Sequence, residues 1–284
     1  MTELSRVQNA RRLSGEEVDQ YKKNGYLKNL PLLGSDGVQT LQKEFMEMVQ
    51  SVPDSVDIYR VNNWHKANRW FYELGRTPAI LDYVEDLIGP DFNQWGGAFF
   101  IKFPHDEKEV PFHQDASYWP LNPRITVTVW LAVFDADPEN GCMRIVPGSH
   151  RWGDMPHQNL EDSPNWSRMS RAEKAKSKYV LWQQVDPDSF TDDQVVDMDL
   201  KAGEISLHDD DLIHGSGGNT SDRMRAGITF RYCPTGVKCD LSVWPNFEVY
   251  PSRGTDRFQH NPVGKMPTQN AYPTSFNQLS SEFA

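Results

Sequence analysis

Three side chains in this sequence could close on one metal ion. His113 and Asp115 lie in the run Pro111-Phe112-His113-Gln114-Asp115, and His214 lies in Leu212-Ile213-His214-Gly215-Ser216-Gly217. Two histidines and a carboxylate bind a divalent ion on one face and leave other coordination positions open for reactants, as in non-haem Fe(II) oxygenases. The spacing suits that chemistry. In a strand, residues i and i+2 point to the same side, so His113 and Asp115 can share an ion while the third ligand arrives from a distant strand. Imidazole and carboxylate suit Fe(II) better than the thiolate sets typical of structural zinc. A zinc hydrolase would use the same ligand types, but no general base is assignable beside them. Arg225 follows His214, and a guanidinium there can pair bidentately with a carboxylate of a bound dicarboxylic acid. An H-x-D motif, a distant His and a following Arg together point to iron with 2-oxoglutarate.

Further motifs surround these residues: Asn140-Gly141-Cys142 leading to Val146-Pro147-Gly148-Ser149-His150, the segment Leu212 to Arg225, and an opening from Leu13-Ser14-Gly15-Glu16-Glu17 to Asn24-Gly25-Tyr26-Leu27. With Pro111 to Asp115 they resemble the phytanoyl-CoA dioxygenase family of iron/2-oxoglutarate oxygenases, over roughly residues 13 to 232. The resemblance implies Fe(II), 2-oxoglutarate and dioxygen as cofactor and cosubstrates, with His113, Asp115 and His214 as iron ligands and Arg225 on the distal carboxylate of 2-oxoglutarate. Ser216 could donate a hydroxyl to that carboxylate. Thr128 and Trp130 share one strand face and could line the cosubstrate if that face is interior; the family's Trp after its H-x-D motif favours Trp130. Lys102 lies upstream and is a further cosubstrate candidate. Halogenases of this superfamily have a small residue where Asp115 stands, so the resemblance favours hydroxylation.

Elements must carry these residues into register. Ser14 to Glu17 has the form of a capping box, and Lys22, Lys23 and Gly25 form a helix end. Val38, Leu41, Phe45 and Met48 recur at helical spacing. Thr77-Pro78 opens another helix that Gly89-Pro90 closes. From Trp95 the period changes. Ile125, Val127, Val129, Leu131 and Val133 alternate with Thr126, Thr128, Trp130 and Phe134, the two-residue period of a strand. Cys142 to Val146 and Arg225 to Cys233 read likewise. The expected fold is mainly β with N-terminal helices and a distorted jelly-roll core; the cupin-like double-stranded β-helix is what the resemblance implies. The expected organisation is one domain over residues 1–284: a helical part at about 13–90, a jelly-roll core at about 92–235 with a lid-like insertion at 152–199, and a C-terminal extension at 236–284. Asp209-Asp210-Asp211 reads as a solvated turn before the His214 strand.

A formal net charge of −11 argues against a nucleic-acid partner, which requires a basic face. No apolar run suggests a membrane span or secretory leader. The three cysteines, Cys142, Cys233 and Cys239, form no CxxC pair, so a reducing cytoplasm is the expected location. The expected partner is a small polar substrate; monomer or homo-oligomer is left undecided. Candidate substrate contacts are Arg60, Asn62, His65, Arg69 and Trp70, then Tyr118 and Trp119, then His157 and Trp182. Arginine and histidine could meet an anion, and aromatic faces a cation. The run from Trp64 through Trp95 to Trp119 resembles bacterial family members that hydroxylate aminoalkylphosphonates. The finer expectation is therefore hydroxylation of an aliphatic carbon of 2-aminoethylphosphonate or its N-methylated form. A hydroxylase of an amino acid or a natural-product intermediate is the alternative. A non-catalytic jelly-roll ligand-binding protein is the alternative of another class.

Overall fold

The computed structural model describes residues 11–54, 56, 58, 61–160 and 177–273. The chain opens with α1 (Gly15–Asn24), capped as its sequence requires. Ser14 Oγ accepts from Glu17 N–H, the Glu17 carboxylate accepts from Ser14 N–H, and Gly25 ends the helix with a left-handed φ of 79°. A strand that the helical reading of this region did not anticipate follows, β1 (Tyr26–Pro31). Then come α2 (Ser35–Gln50), α3 (Arg69–Leu74) and α4 (Pro78–Ile88), which buries Ile80, Leu81 and Val84.

The strands after them are β2 (Phe92–Lys102), β3 (Val110–His113), β4 (Leu121–Asn122), β5 (Val127–Ala132), β6 (Met143–Ile145), β7 (His157–Asn159), β8 (Gln183–Val185), β9 (Val196–Met198), β10 (Glu204–Asp209), β11 (His214–Ser216), β12 (Arg225–Pro234), β13 (Lys238–Cys239) and β14 (Tyr250–Arg253). They form a six-stranded sheet ordered β1-β10-β5-β12-β2-β14 and a four-stranded sheet ordered β3-β11-β6-β9, with two two-stranded ribbons, β13-β4 and β7-β8. Among the described residues, the ladder pairings within these sheets are antiparallel.

Two boundaries differ from the sequence reading. Val196 to Met198 pair with β6, so the insertion gives way to sheet before residue 199. Three residues are too few to register an alternation. Residues 161–176 of that insertion, and Arg60, lie outside the described residues. The stretch after 235 is no mere extension, because Tyr250 to Arg253 add the edge strand beside β2.

The alternation in β5, β10 and β12 sorts the large sheet into two faces. Val127, Val129, Leu131, Ile205, Leu207, Ala226, Ile228 and Phe230 join Leu41, Phe45, Phe71, Ile80 and Val84 in one hydrophobic cluster beneath the helices. The other face carries Thr128, Trp130, Ser206, His208, Arg225, Thr229 and Arg231, polar apart from the indole, and nearly all buried. It turns toward the small sheet: the rings of His208 and His214 lie 5.1 Å apart. Both faces are enclosed, so the strands are buried throughout while only one face is apolar.

Phe99 organises the helical side. It is 1% exposed and meets Phe45, Trp64 and Phe71 edge-on at 5.6, 4.8 and 5.2 Å between ring centroids. Phe99→Ala leaves a cavity among three rings and is expected to cost about 3–5 kcal/mol, with Tm lower by roughly 10 °C. Metal affinity well below the melt should be unchanged, since this face is turned away from the histidines. A loss under about 1 kcal/mol in chemical denaturation would show that the site repacks.

Candidate metal and cosubstrate site

His113 ends β3 and His214 begins β11, and the two residues are direct cross-strand partners. Asp115 opens the 3-10 turn after β3. One ligand atom from each of the three lies within 4.8 Å of the others, and all three residues are buried. His113 Nε2 is 3.3 Å and His214 Nε2 4.0 Å from the Asp115 carboxylate oxygens. The opposite ring nitrogens are engaged: His113 Nδ1 is 2.8 Å from the Pro111 carbonyl and His214 Nδ1 is 2.9 Å from the Leu212 carbonyl. A carbonyl only accepts, so each Nδ1 carries the proton and each Nε2 presents a lone pair to the centre. Burial and the neighbouring His113 lower His214 to about 4, which keeps it neutral. Burial alone would raise Asp115, but its contacts with His113, His214 and Arg231 hold its carboxyl well below the usual carboxylate range. Two neutral imidazoles and one anion on converging side chains fit a divalent iron ion.

The surrounding motifs hold these ligands in place. Ser149 Oγ, fully buried, accepts from Ile213 N–H at 2.8 Å, immediately before His214. Gln114, the middle residue of H-x-D, turns away from the centre. Its Nε2 donates to the Gly153 and Asp211 carbonyls at 3.0 and 2.8 Å, and its Oε1 accepts from Met155 N–H at 2.8 Å. It thereby ties the Asp115 turn to the segment before His214. The alternation that aims its neighbours inward could have flagged this role.

The cosubstrate candidates gather along the interior face of the large sheet. Arg225 donates from Nε to the Gly141 carbonyl and from Nη1 to the Phe100 carbonyl, both at 3.1 Å. Lys102 is its register partner and is fully buried; its Nζ donates to the Lys108 carbonyl at 2.7 Å and to the Gly217 carbonyl. Burial and the adjacent Arg225 lower Lys102 to about 7. Trp130 lies flat over Gly227, where a Cβ would come within 2.0 Å of the indole, and its ring is 5.8 Å from the Arg225 guanidinium. The Thr128 hydroxyl has no hydrogen-bond partner among the described residues, and Ser216 is buried on β11 beside Gly217. Two buried cations, an indole and two hydroxyls suit a short dicarboxylate.

Of the substrate candidates, those after H-x-D approach the centre. The Tyr118 ring lies 6.0 Å from His113, 5.9 Å from His157 and 6.1 Å from Trp182. Burial and Asp115 push its hydroxyl up to about 12. Tyr118 and His157 also line a cleft of about 400 Å³ with Ser117, Asp154, Met155, Pro156 and Gln183. Trp119 packs at 4.7 Å on Trp95. The earlier cluster goes elsewhere. Trp70 packs in the hydrophobic cluster beneath the helices and donates from Nε1 to Glu44, and Arg69 pairs with Glu73 one helical turn on. Helical periodicity turned these two away from the interior face. Asn62 is exposed and bridges to Ala98, and His65 is buried edge-on to Tyr250. Arg231, absent from the sequence candidates, reaches 3.9 Å from Asp115.

A family model described as phytanoyl-CoA dioxygenase matches residues 21–227. Among curated proteins, the chain is 27% identical over 250 residues to the rat protein "Phytanoyl-CoA dioxygenase, peroxisomal", covering 80% of this chain and 70% of that one. It is 33% identical over 184 residues to the zebrafish "Phytanoyl-CoA dioxygenase domain-containing protein 1", covering 63% and 57%. Among solved structures, the non-heme monooxygenase ThoJ in its apo form superposes with a TM-score of 0.70 at 24% identity, over 89% of each chain. CytC3 with Fe(II) and alpha-ketoglutarate superposes at 0.65 with 21% identity, over 91% of this chain and 95% of that one. These superpositions establish the double-stranded β-helix fold.

The acidic run before His214 is not the solvated turn its composition suggests. Asp210 is 1% exposed, and neither carboxylate oxygen has a partner among the described side-chain contacts. Burial first, then the charges of Asp209 and Asp211, push it up to about 8. An unfolded aspartate titrates near pH ~4, so across that window the unfolded chain releases a proton that the fold retains. Its contribution to stability is complete below pH ~4 and is lost as pH rises through about 8. Asp210→Asn should therefore melt a few °C above wild type at pH ~8, and the two should converge near pH ~4. Parallel melting curves across the window would show that Asp210 is ionised in the fold.

Proposed function

The chain belongs to the phytanoyl-CoA dioxygenase family, and from that premise we propose that it hydroxylates an aliphatic carbon of a small polar substrate, with His113, Asp115 and His214 holding the iron. It is an Fe(II)- and 2-oxoglutarate-dependent oxygenase. The observation that carries the ligand assignment is the convergence of both Nε2 atoms on the Asp115 carboxylate, with both Nδ1 atoms committed to backbone carbonyls.

When bound, Fe(II) supplies dioxygen activation coupled to decarboxylation of 2-oxoglutarate to succinate and carbon dioxide. The chain's own residues do the rest. Arg225 and Lys102 would take the distal carboxylate, and that anion would offset the burial and the neighbouring Arg225 charge that lower Lys102. Trp130 and Thr128 would fix the chain of the 2-oxo acid along the sheet. Tyr118, beside His113 and packed on Trp182, and Trp119, packed on Trp95 and beside Arg231, would form aromatic walls about the centre. Such walls exclude water and orient a substrate C–H bond.

The finer reading is 2-aminoethylphosphonate or its N-methylated form. The aromatic walls support it, since indole and phenol faces attract an ammonium group. A cytoplasmic setting is supported by three buried free thiols, Cys142, Cys233 and Cys239. Among the described residues no helix is long and apolar enough to cross a membrane.

The test is succinate formation by the Fe(II)-loaded protein over aminoalkylphosphonates, free amino acids, natural-product intermediates and acyl-CoA thioesters. Stimulation by an aminoalkylphosphonate is expected, and Asp115→Ala should abolish it together with stoichiometric iron binding. Turnover of acyl-CoA alone would overturn the substrate reading. Full turnover by the Asp115→Ala protein would overturn the ligand assignment.

Arg225→Ala should weaken 2-oxoglutarate about 100-fold, the effect of breaking a charge-assisted bidentate pair in a largely dry pocket, with metal affinity nearly unchanged. Calorimetry on the metal-loaded protein measures both. Unaltered 2-oxoglutarate affinity would place the distal carboxylate on other residues.

A further inference from the structure

Arg231 is the charged side chain on the interior face for which the site described so far has no use. It lies on the same strand and the same face as Arg225, six residues on, which at roughly 3.3 Å per residue separates their Cα atoms by about 20 Å. A five-carbon dicarboxylate that chelates the metal and grips Arg225 cannot extend to it as well. Arg231 instead lies on the far side of the ligand set, with Nη2 3.9 Å from Asp115 Oδ2, beyond hydrogen-bonding distance. Among the described residues no side-chain hydrogen bond engages the Arg231 guanidinium, and its Nε is buried without a partner. Its side chain is nevertheless 13% exposed, so a small ligand can reach it.

The fold is built to present this group. Arg231 pairs with Gly96 on β2, where a Cβ would stand 3.1 Å from Arg231 Cδ, so glycine makes room for the arginine stem to cross the strand. Immediately beyond, Tyr232 pairs with Gln94, which leaves Trp95 as the extra residue of a bulge. Bulges re-aim side chains, and this one sets the Trp95 ring 5.8 Å from the Arg231 guanidinium. The Trp119 ring lies 5.0 Å from the same guanidinium. The two indoles pack on each other edge-on at 4.7 Å, and the guanidinium lies beside that pair, with cation–π attraction to both rings. Trp95 Nε1 is a second buried donor without a partner beside it.

We propose that Arg231, held beside the Trp95–Trp119 pair, binds an oxyanion group of the primary substrate and so sets which carbon faces the metal. This rests on the hydroxylase reading above and deepens it: the substrate class is a small molecule with a carboxylate, sulfonate or phosphonate a few bonds from the carbon that is hydroxylated. The competing role is that of a positioning residue for Asp115, and the two roles separate experimentally.

The full chain is loaded with Ni(II), which supports no turnover, and saturated with 2-oxoglutarate. The absorbance of that complex reports metal and cosubstrate binding, and so tests the earlier reading by itself. The complex is then titrated with 2-aminoethylphosphonate, 2-aminoethanesulfonate, 3-aminopropanoate and ethanolamine while tryptophan fluorescence is followed. At least one of the three anions should perturb the fluorescence, and ethanolamine, which lacks the anion, should not. The anion that binds identifies the oxyanion type. Arg231→Gln should weaken that response about tenfold or more, Arg231→Lys should retain part of it, and both should bind Ni(II) and 2-oxoglutarate within about twofold of wild type. Three results overturn the proposal. The first is no response of the wild-type complex to any of the anions. The second is an anion response unchanged in Arg231→Gln. The third is a loss of metal or 2-oxoglutarate affinity in that variant as large as the loss of anion response, which assigns Arg231 to Asp115 or to the cosubstrate.

Discussion

Everything in this site depends on one cross-strand pair. His113 and His214 face each other across β3 and β11, with ring centroids 4.3 Å apart. Neither ring can turn without breaking its Nδ1 bond to the carbonyl two residues back in the chain, Pro111 on β3 and Leu212 just before β11. This local bond is available because the strands are extended there, and it fixes the proton on the nitrogen that faces away from the centre. The geometry depends on a sheet in register. A one-residue slip of β11 would replace His214 with Ile213 or Gly215 and destroy the set.

The register is secured from both sides. Ser149 ties down the backbone entering β11, and Gln114 joins the Asp115 turn to the segment before it. Beneath, the large sheet offers one apolar face to the helices and one polar face to the ligands. The apolar face supplies the burial that stabilises the fold, as the rings around Phe99 show. The polar face carries groups that would be costly inside an ordinary core: Lys102, Arg225, Arg231, Thr128, Ser206 and His208. Several of their polar atoms lack partners, a concentration unusual in native interiors. A face of this kind is stable because its other face is not asked to do chemistry.

Charge is distributed along that face with direction. Arg225 and Lys102 sit together at one end, already bonded to backbone carbonyls, and burial, with Arg225 beside it, lowers Lys102. Arg231 sits at the other end with aromatic faces in place of carbonyls. The ligand triad lies between. Two reactants that must meet at one metal without exchanging places need distinct anchors, and a strand with inward-facing cations at both ends supplies them at a fixed separation.

The chemistry was legible in the sequence because its signals are local. H-x-D sets two candidate ligands two residues apart, His113 at the end of β3 and Asp115 at the start of the turn after it, and the capping box and Gly25 fix α1 through bonds spanning a few residues. The jelly-roll class followed from helices giving way to alternating strands. Some strands were not legible: β9 and β14 carry too few residues to show a period, and β1 loses its alternation at the irregularity between Leu27 and Leu30, so each is defined by its partner, β6, β2 and β10. Composition misjudged Asp210, which looks solvated in an acidic run and is buried by the strands around it. It misjudged Arg69 and Trp70 as well, since a helix face turns them away from the centre. Arg231 was invisible for the same reason that it matters. Its position beside Asp115 arises from pairing across β12 and β2 and from the bulge at Trp95, and side-chain meetings between residues distant in the chain are decided by tertiary packing alone.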